Sequence, residues 1–168
     1  MITFRKAATN DAFAIANIHT TNWQENYRGA FSDHYLDHEA ERDRLEVWTH
    51  RLQQPAEQQH IIVAIDGRQV VGFSCLQGDA DATYGTLLNN LHVATGQKGR
   101  GIGSELIRRS LDWSLQNYPQ RPLYLWILCQ NKDGLRFYER HGGKRVEQAT
   151  HHSPAGLKIP VFRYVWNL

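Results

Sequence analysis

Residues 86–129 carry, in succession, an apolar-rich run, a loop with glycines at alternate positions (Gly99, Gly101, Gly103), an amphipathic stretch and a second apolar run. A strand, a loop, a helix and a strand in that order bring the two strands into a parallel pair through a right-handed crossover. "TLLNNLHVA" (86–94) is the first strand. The helix over 100–117 places Ile102, Leu106, Ile107, Leu111 and Leu115 on one face. "LYLWILC" (123–129) is a continuous apolar run, as a strand buried on both faces requires. This unit sets the middle of a sheet, and the remaining elements must be added at its sides.

"ITFRKA" (2–7) reads as a first strand, and Asn10 and Asp11 as caps of a helix carrying Phe13, Ile15, Ile18 and Trp23, with Gly29 ending the stretch. Residues 32–52 read as further helix. "HIIVAI" (60–65), the turn "DG" (66–67) and "QVVGFSCLQG" (69–78) form a hairpin, and "GDADATYG" (78–85) a polar turn before the next strand. "NKDGLRFYERHGG" (131–143) is a short helix stopped by two glycines, followed by strands "KRVEQAT" and "VFRYVW". Hairpins add antiparallel strands to the parallel pair. The expected architecture is α/β (α+β): a mixed central sheet of about seven strands flanked by helices on both faces. The 168 residues suit one domain over 1–168, since domains commonly run to ~100–200 residues.

The net charge of +2, with no dense Lys/Arg block, gives no ground for a nucleic-acid partner. No apolar run reaches the ~18 residues needed to span a membrane. The two cysteines, Cys75 and Cys129, each lie inside an apolar run and outside any CxxC, so they are expected as buried thiols of a reducing, cytoplasmic compartment.

The glycine loop frees backbone N–H groups at a helix start, where the helix adds positive partial charge, and Lys98 and Arg100 add full charges. That suits an anion. The loop ends "GIGSEL" without the GK[ST] of a phosphate-transferring loop, and it lacks the G-x-G-x-x-G spacing and downstream acid of a dinucleotide site. On spacing alone, a turn of no chemical purpose remains open. Asn131 directly follows the second strand and Tyr138 lies two helical turns later. Ligands of open α/β sheets bind at the carboxyl ends of parallel strands, so the loop, Asn131 and Tyr138 can line one crevice.

The pair "V-x-x-x-x-K-G-R-G-I-G-S-E-L" (93–106) and "N-K-D-G-L-R-F-Y-E-R-H-G-G" (131–143) resembles the GNAT superfamily of acetyl-CoA-dependent N-acyltransferases, over roughly residues 60–165 in element order. "NWQENYRG" (22–29) resembles a first-helix signature of small bacterial members. Lys98 stands where the family usually has Arg or Gln.

The resemblance implies a GNAT fold and acetyl transfer from acetyl-CoA to a primary amine by direct attack in a ternary complex, with no metal. It implies that backbone N–H groups of Lys98, Gly99, Arg100, Gly101, Ile102, Gly103 and Ser104 hold the coenzyme A pyrophosphate. It further implies that Leu91, His92 and Val93 pair with the pantetheine arm as an added strand would, that the Val93 N–H polarises the thioester carbonyl, and that Asn131 hydrogen-bonds the pantetheine. Tyr138 matches the family's tyrosine that protonates the leaving thiolate; Phe137 is expected in the core.

The base is open between His92, whose ordinary pKa suits proton transfer, Glu25 acting through a water, and loss of the proton to solvent. Strand alternation sends His92 and Val93 to opposite faces. Asn89 and Asn90 are candidates for orienting the amine. Trp23 and Tyr27, four apart, share a helix face and are either a wall of the amine pocket or core aromatics. His151 and His152 read as a solvated turn rather than a metal site, and Thr150 to Gly156 as a loop that can cover the acceptor. The acceptor is expected to be a small-molecule or peptide amine, with a homodimer expected by analogy through "VFRYVW". The competing readings are a non-catalytic acyl-CoA-sensing module of the same fold and a nucleotide-binding enzyme of another fold.

Overall fold

The computed structural model describes residues 1–153 and 156–167. β1 (Ile2–Lys6) is an edge strand, and a short turn ties it to α1 (Ala12–Asn26). Asp11 makes that turn: its carboxylate accepts the Ala8 N–H at 2.7 Å and pairs with both terminal nitrogens of Arg5 at 2.7 and 2.9 Å. The side chain expected to cap α1 caps the preceding turn instead. α2 (Asp33–His38) and α3 (Ala40–Gln53) follow. The single helical stretch expected over 32–52 is thus two helices, the first capped by Ser32, whose hydroxyl accepts the Tyr35 N–H.

β2 (Gln59–Asp66) and β3 (Gln69–Asp81) form the hairpin, turning at Gly67 with φ +62°. β3 runs through Asp81, so the polar turn before β4 is confined to residues 82–84, where Asp81 Oδ1 accepts the Thr83 and Tyr84 N–H groups. β4 (Gly85–Val93), α4 (Ile102–Asn117) and β5 (Leu123–Leu128) are the parallel unit, and α5 (Lys132–Arg140), β6 (Lys144–His152) and β7 (Lys158–Trp166) complete the chain. The sheet has seven strands in the order β1-β2-β3-β4-β5-β7-β6, antiparallel throughout except at β4–β5.

Helices cover both faces. α4 and α5 lie on one, where Ile102, Leu106, Ile107 and Leu135 pack on Leu76, Leu88, Leu125 and Ile127. α1 and α3 lie on the other, where Ile15, Ile18 and Trp48 pack on Ile61, Val63, Phe73 and Cys75. Phe13 (66% exposed) and Leu115 (49%) stand outside the stripes they were assigned to. Both cysteines are unpaired, Cys75 buried and Cys129 half-buried.

β7 is an inner strand with Val161, Tyr164, Val165 and Trp166 buried, so "VFRYVW" is not an exposed apolar end available to a second copy. His151 and His152 belong to β6 rather than a turn, and His151 lies against Trp126 with ring centroids 4.8 Å apart. Of the loop expected over 150–156, positions 154 and 155 fall outside the described residues. Among the described residues no helix is long and apolar enough to cross a membrane.

Candidate active site

β4 and β5 pair only at Thr86↔Leu123 and Leu87↔Tyr124. Beyond these positions they diverge, and the opening is a cleft of about 780 Å³ lined by Leu88 to Val93 on one side and Leu125 to Leu128 on the other. β4 also bulges: Asn90 pairs with Cys75 and Leu88 with Leu76, which leaves Asn89 as the extra residue on the strand.

The register decides what β4 offers to the cleft. The Ala94 N–H donates to the Val71 carbonyl at 2.9 Å. In the regular stretch before it, His92 therefore exchanges hydrogen bonds with Phe73 on β3, and Leu91 and Val93 turn their N–H and C=O groups the other way, towards β5. β5 has already left, so the Val93 N–H faces the cleft. The Val93 carbonyl accepts from Asn22 Nδ2 on α1 at 3.2 Å. Of the three residues expected to pair with an extended ligand, Leu91 and Val93 present their backbone, and His92 presents its side chain.

The glycine loop closes one end. Gly99 and Gly101 adopt φ +80° and +77°, a region that side chains strongly disfavour, and Gly101 caps α4. A Cβ on Gly103 would lie 3.3 Å from the Phe137 ring, so this glycine lets α4 start close against α5. Lys98, Gly99 and Gly101 to Ser104 line the cleft. Arg100 turns away: its guanidinium pairs with Asp66 at 2.7 Å and hydrogen-bonds Gln97. Ser104 Oγ meets His141 Nε2 at 2.9 Å.

Asn131 is the N-cap of α5, its Oδ1 accepting the Gly134 N–H at 3.0 Å. The cap leaves the Asn131 Nδ2 group for a ligand. Tyr138 is half-buried on the cleft wall, its ring 5.9 Å from Trp166. Burial, reinforced by Tyr27, pushes its phenol above the ordinary value, so the hydroxyl keeps its proton.

His92 projects to the α1/α3 face. Its ring stacks on His19 at 4.8 Å and tilts against Phe73 at 5.4 Å. Burial, with Lys98 nearby, pushes it down to about 4, so the ring is neutral at physiological pH. His19 is 1% exposed; its Nδ1 accepts the Trp48 indole N–H at 2.9 Å, and burial holds it neutral too.

Tyr27, Asn89 and Asn90 line the cleft. Trp23 and Glu25 do not. Trp23 packs among His19, Tyr27 and Phe31, and Glu25 accepts from Thr95 Oγ1 at 2.7 Å and pairs with Lys98 at 3.8 Å. Asn22, Asn26, Trp126 and His141 line the cleft without having been singled out in the sequence. Asn22 and Asn26 fall inside the "NWQENYRG" stretch, as amides at i and i+4 on an otherwise core-facing helix. Among the described residues no cluster of His, Cys, Asp or Glu is placed to hold a metal ion.

The sheet opens between two parallel strands, with unpaired strand backbone along one wall of the cleft and a glycine-capped helix start at its end. The chain belongs to the GNAT family of acetyltransferases: the family model "Acetyltransferase (GNAT) family" matches residues 16–143. Its fold is similar to that of PaiA N-acetyltransferase from Thermoplasma acidophilum in complex with coenzyme A (TM-score 0.72, 16% identity, 99% of each chain). It is similar to yncA from Salmonella typhimurium with acetyl-CoA (0.68, 18%, 100% of this chain and 94% of that one). It is also similar to NAA60 from Arabidopsis thaliana in complex with a bisubstrate analogue (0.68, 18%, 99% and 98%).

Proposed function

We propose that this chain is a single-domain N-acetyltransferase that moves the acetyl group of acetyl-CoA to a primary amine. The observation that carries the reading is the free Val93 N–H, aimed into the opening between β4 and β5, in the same cleft that Tyr138 lines. The cleft fits coenzyme A: an anion-favouring helix start at Gly101, backbone groups of Leu91 and Val93 for amides, and an uncommitted Asn131 Nδ2. Acetyl-CoA supplies the thioester whose acyl carbon the amine attacks.

The protein's residues do the rest. The Val93 N–H polarises the carbonyl. Tyr138, protonated throughout the working range, donates its proton to the departing sulfur. His92 is neutral and accepts a hydrogen bond from the amine; with its affinity for protons lowered to about 4, it orients the amine rather than holding its proton, which leaves to solvent. The amine enters from the α1/α3 side, where Asn22, Asn26, Tyr27, Asn90 and His92 lie.

Turnover of acetyl-CoA is the test, measured across an amine library with calorimetry on acetyl-CoA and on ATP alongside. Acetyl-CoA binding with amine-dependent release of free thiol is expected. Binding without turnover on any amine leaves a sensing module, and ATP binding without coenzyme A binding overturns the reading altogether.

A further inference from the structure

Asn22 joins α1 to β4 with one half of its amide and leaves the other half free. Both hydrogens of Nδ2 are committed to main-chain carbonyls, of Ile18 at 2.9 Å and of Val93 at 3.2 Å. A carbonyl oxygen only accepts, so these two bonds fix which way the amide is turned. Oδ1 accepts from no described group and is not sealed in, although the residue is only 6% exposed. Asn22 lines the cleft, so the oxygen opens there. From the C=O and C–N lengths, an amide oxygen lies ~2.3 Å from its nitrogen. Oδ1 therefore stands within about 5.5 Å of the Val93 carbonyl oxygen.

His92 is its neighbour across the gap between helix and strand. His19, one turn before Asn22 on α1, stacks on the His92 ring at 4.8 Å. Neither ring nitrogen of His92 bonds a described group, and neither is sealed in. Two hydrogen-bond acceptors thus flank the Val93 peptide on the α1 side. The wall around them is uncharged. Cys75 faces α1 and α3, so its cross-strand partner Asn90 does too. Tyr27 and Trp126 pack on one apolar cluster of that face, and Asn26 lies one turn beyond Asn22. The charged side chains among the described lining residues are Lys98, Asp133 and Arg140. Lys98 is paired with Glu25, and the other two belong to α5 on the opposite face.

We infer that the acceptor is a primary amine on an uncharged body, with its two N–H bonds directed at Asn22 Oδ1 and at a ring nitrogen of His92. The inference rests on the acetyltransferase reading for the position of the acyl group. A neutral primary amine has two N–H bonds and one lone pair. With both hydrogens held from the α1 side, the lone pair is left to point at the acyl carbon beside the Val93 N–H. Uncharged acceptors achieve this without favouring the ammonium form, as a carboxylate would. A secondary amine has one N–H and leaves one of the two acceptors unmatched. A second charge on the acceptor, of either sign, finds no partner on this wall.

Benzylamine is the reference probe. N-methylbenzylamine has one N–H as the free base; 4-(aminomethyl)benzoate and 1,4-bis(aminomethyl)benzene add an anion and a cation. Steady-state kcat/KM with acetyl-CoA is compared at equal free-base concentration, which removes the amines' own pKa values from the comparison. Benzylamine is expected about tenfold or more ahead of N-methylbenzylamine, the effect of one buried hydrogen bond, and ahead of both charged probes. In Asn22→Leu every amine slows as the Val93 anchor is lost, and the ratio of benzylamine to N-methylbenzylamine also falls towards one. A merely structural Asn22 slows both alike and keeps the ratio. N-methylbenzylamine or either charged probe equalling benzylamine in the wild type overturns the inference, whether or not Asn22→Leu folds; so does an unchanged ratio in folded Asn22→Leu. Calorimetry on the coenzyme A-loaded protein keeps the two readings apart. Protonated N,N-dimethylbenzylamine has the charge of benzylamine but one N–H, and is expected to bind about tenfold or more weakly, with the gap closing in Asn22→Leu. That pattern in a protein that acetylates nothing supports the site and sinks the transferase. Equal turnover of benzylamine and N-methylbenzylamine does the reverse.

Discussion

Asn22 on α1 donates its side-chain amide to the main-chain carbonyl of Val93, 71 residues away, at 3.2 Å, and to the Ile18 carbonyl at 2.9 Å. The bond fastens the first helix to a β4 residue whose N–H faces the open cleft. Asn22 is 6% exposed, so nothing from solvent replaces it. Asn22→Ala is expected to cost about 1–2 kcal/mol of stability, the loss of a buried amide's bonds. Turnover should fall by about tenfold as the Val93 peptide loses its anchor. Urea denaturation and steady-state kinetics check both; wild-type turnover in a destabilised protein would detach Asn22 from the chemistry.

Tyr138→Phe removes the hydroxyl and leaves the ring against Trp166. Acid catalysis contributes on the order of 100-fold or more, so kcat is expected to drop by about that factor. Acetyl-CoA affinity should stay within about twofold, since the glycine loop and β4 are untouched. A variant that turns over at the wild-type rate from acid to alkaline pH removes Tyr138 from the mechanism.

The pH profile follows from two opposed shifts. Burial pushes His92 down to about 4 and Tyr138 above its ordinary value, so between about pH 5 and pH 9 the first is always neutral and the second always protonated. Neither group contributes a limb in that window. The profile of kcat/KM is expected to rise about tenfold per pH unit up to the acceptor amine's own pKa, and to shift when an amine of different pKa is used. A limb near pH 6.5 that stays fixed across amines would mean that His92 titrates in the working range, against the burial seen for it.

Gly101 makes two demands on one position: φ +77° at the cap of α4, and open space on the cleft side, where an added Cβ meets nothing within 4 Å. Gly101→Val is expected to cost about 1–3 kcal/mol of backbone strain and to weaken coenzyme A binding by more than tenfold, because a branched side chain occupies the approach to the helix start. Gly101→Asn, which tolerates the left-handed region better, should recover stability ahead of affinity. Calorimetry with coenzyme A alongside thermal melts separates the two effects.

The parts legible in the sequence are those set by local rules. The glycines at 99, 101 and 103, the continuous strand 123–129 and the hairpin at Asp66–Gly67 each carry their own signal, and together they imply the mixed sheet. The residues that a motif named, Val93, Asn131 and Tyr138, line one cleft. What escaped was set by register and by long-range partners. That Leu91 and Val93 face the cleft with their backbones depends on which β4 residues β3 has already bonded. That Arg100 leaves the loop depends on Asp66, and that Glu25 leaves the acceptor side depends on Thr95. The bonds from Asn22 to Val93 and from Arg51 to Asn90 span 71 and 39 residues of separation, which no window along the chain contains. The break within 32–52 escapes for the opposite reason: it lies at Glu39 alone, which ends α2 and begins α3, with no glycine or proline to announce it.

His19 gives the protein an acid-sensitive core. Its Nδ1 accepts the Trp48 N–H, so the one proton it carries sits on Nε2, and a second proton on Nδ1 would break the bond. Its affinity for protons is lowered by burial first and by His92, Arg44 and Arg51 after that. The unfolded chain has an ordinary histidine at about pKa 6.5. The sign follows: above about pH 6.5 neither state is protonated and stability is full; below it the unfolded state takes up a proton that the folded state refuses, and stability falls. One such group contributes up to about 1.4 kcal/mol per pH unit, and His92, shifted the same way, adds to it down to about pH 4. Urea midpoints are expected to decline steeply from pH 6.5 to pH 5. His19→Gln should lower stability at pH 7.5 and flatten the decline below pH 6.5. Parallel curves for His19→Gln and wild type would place the acid sensitivity elsewhere.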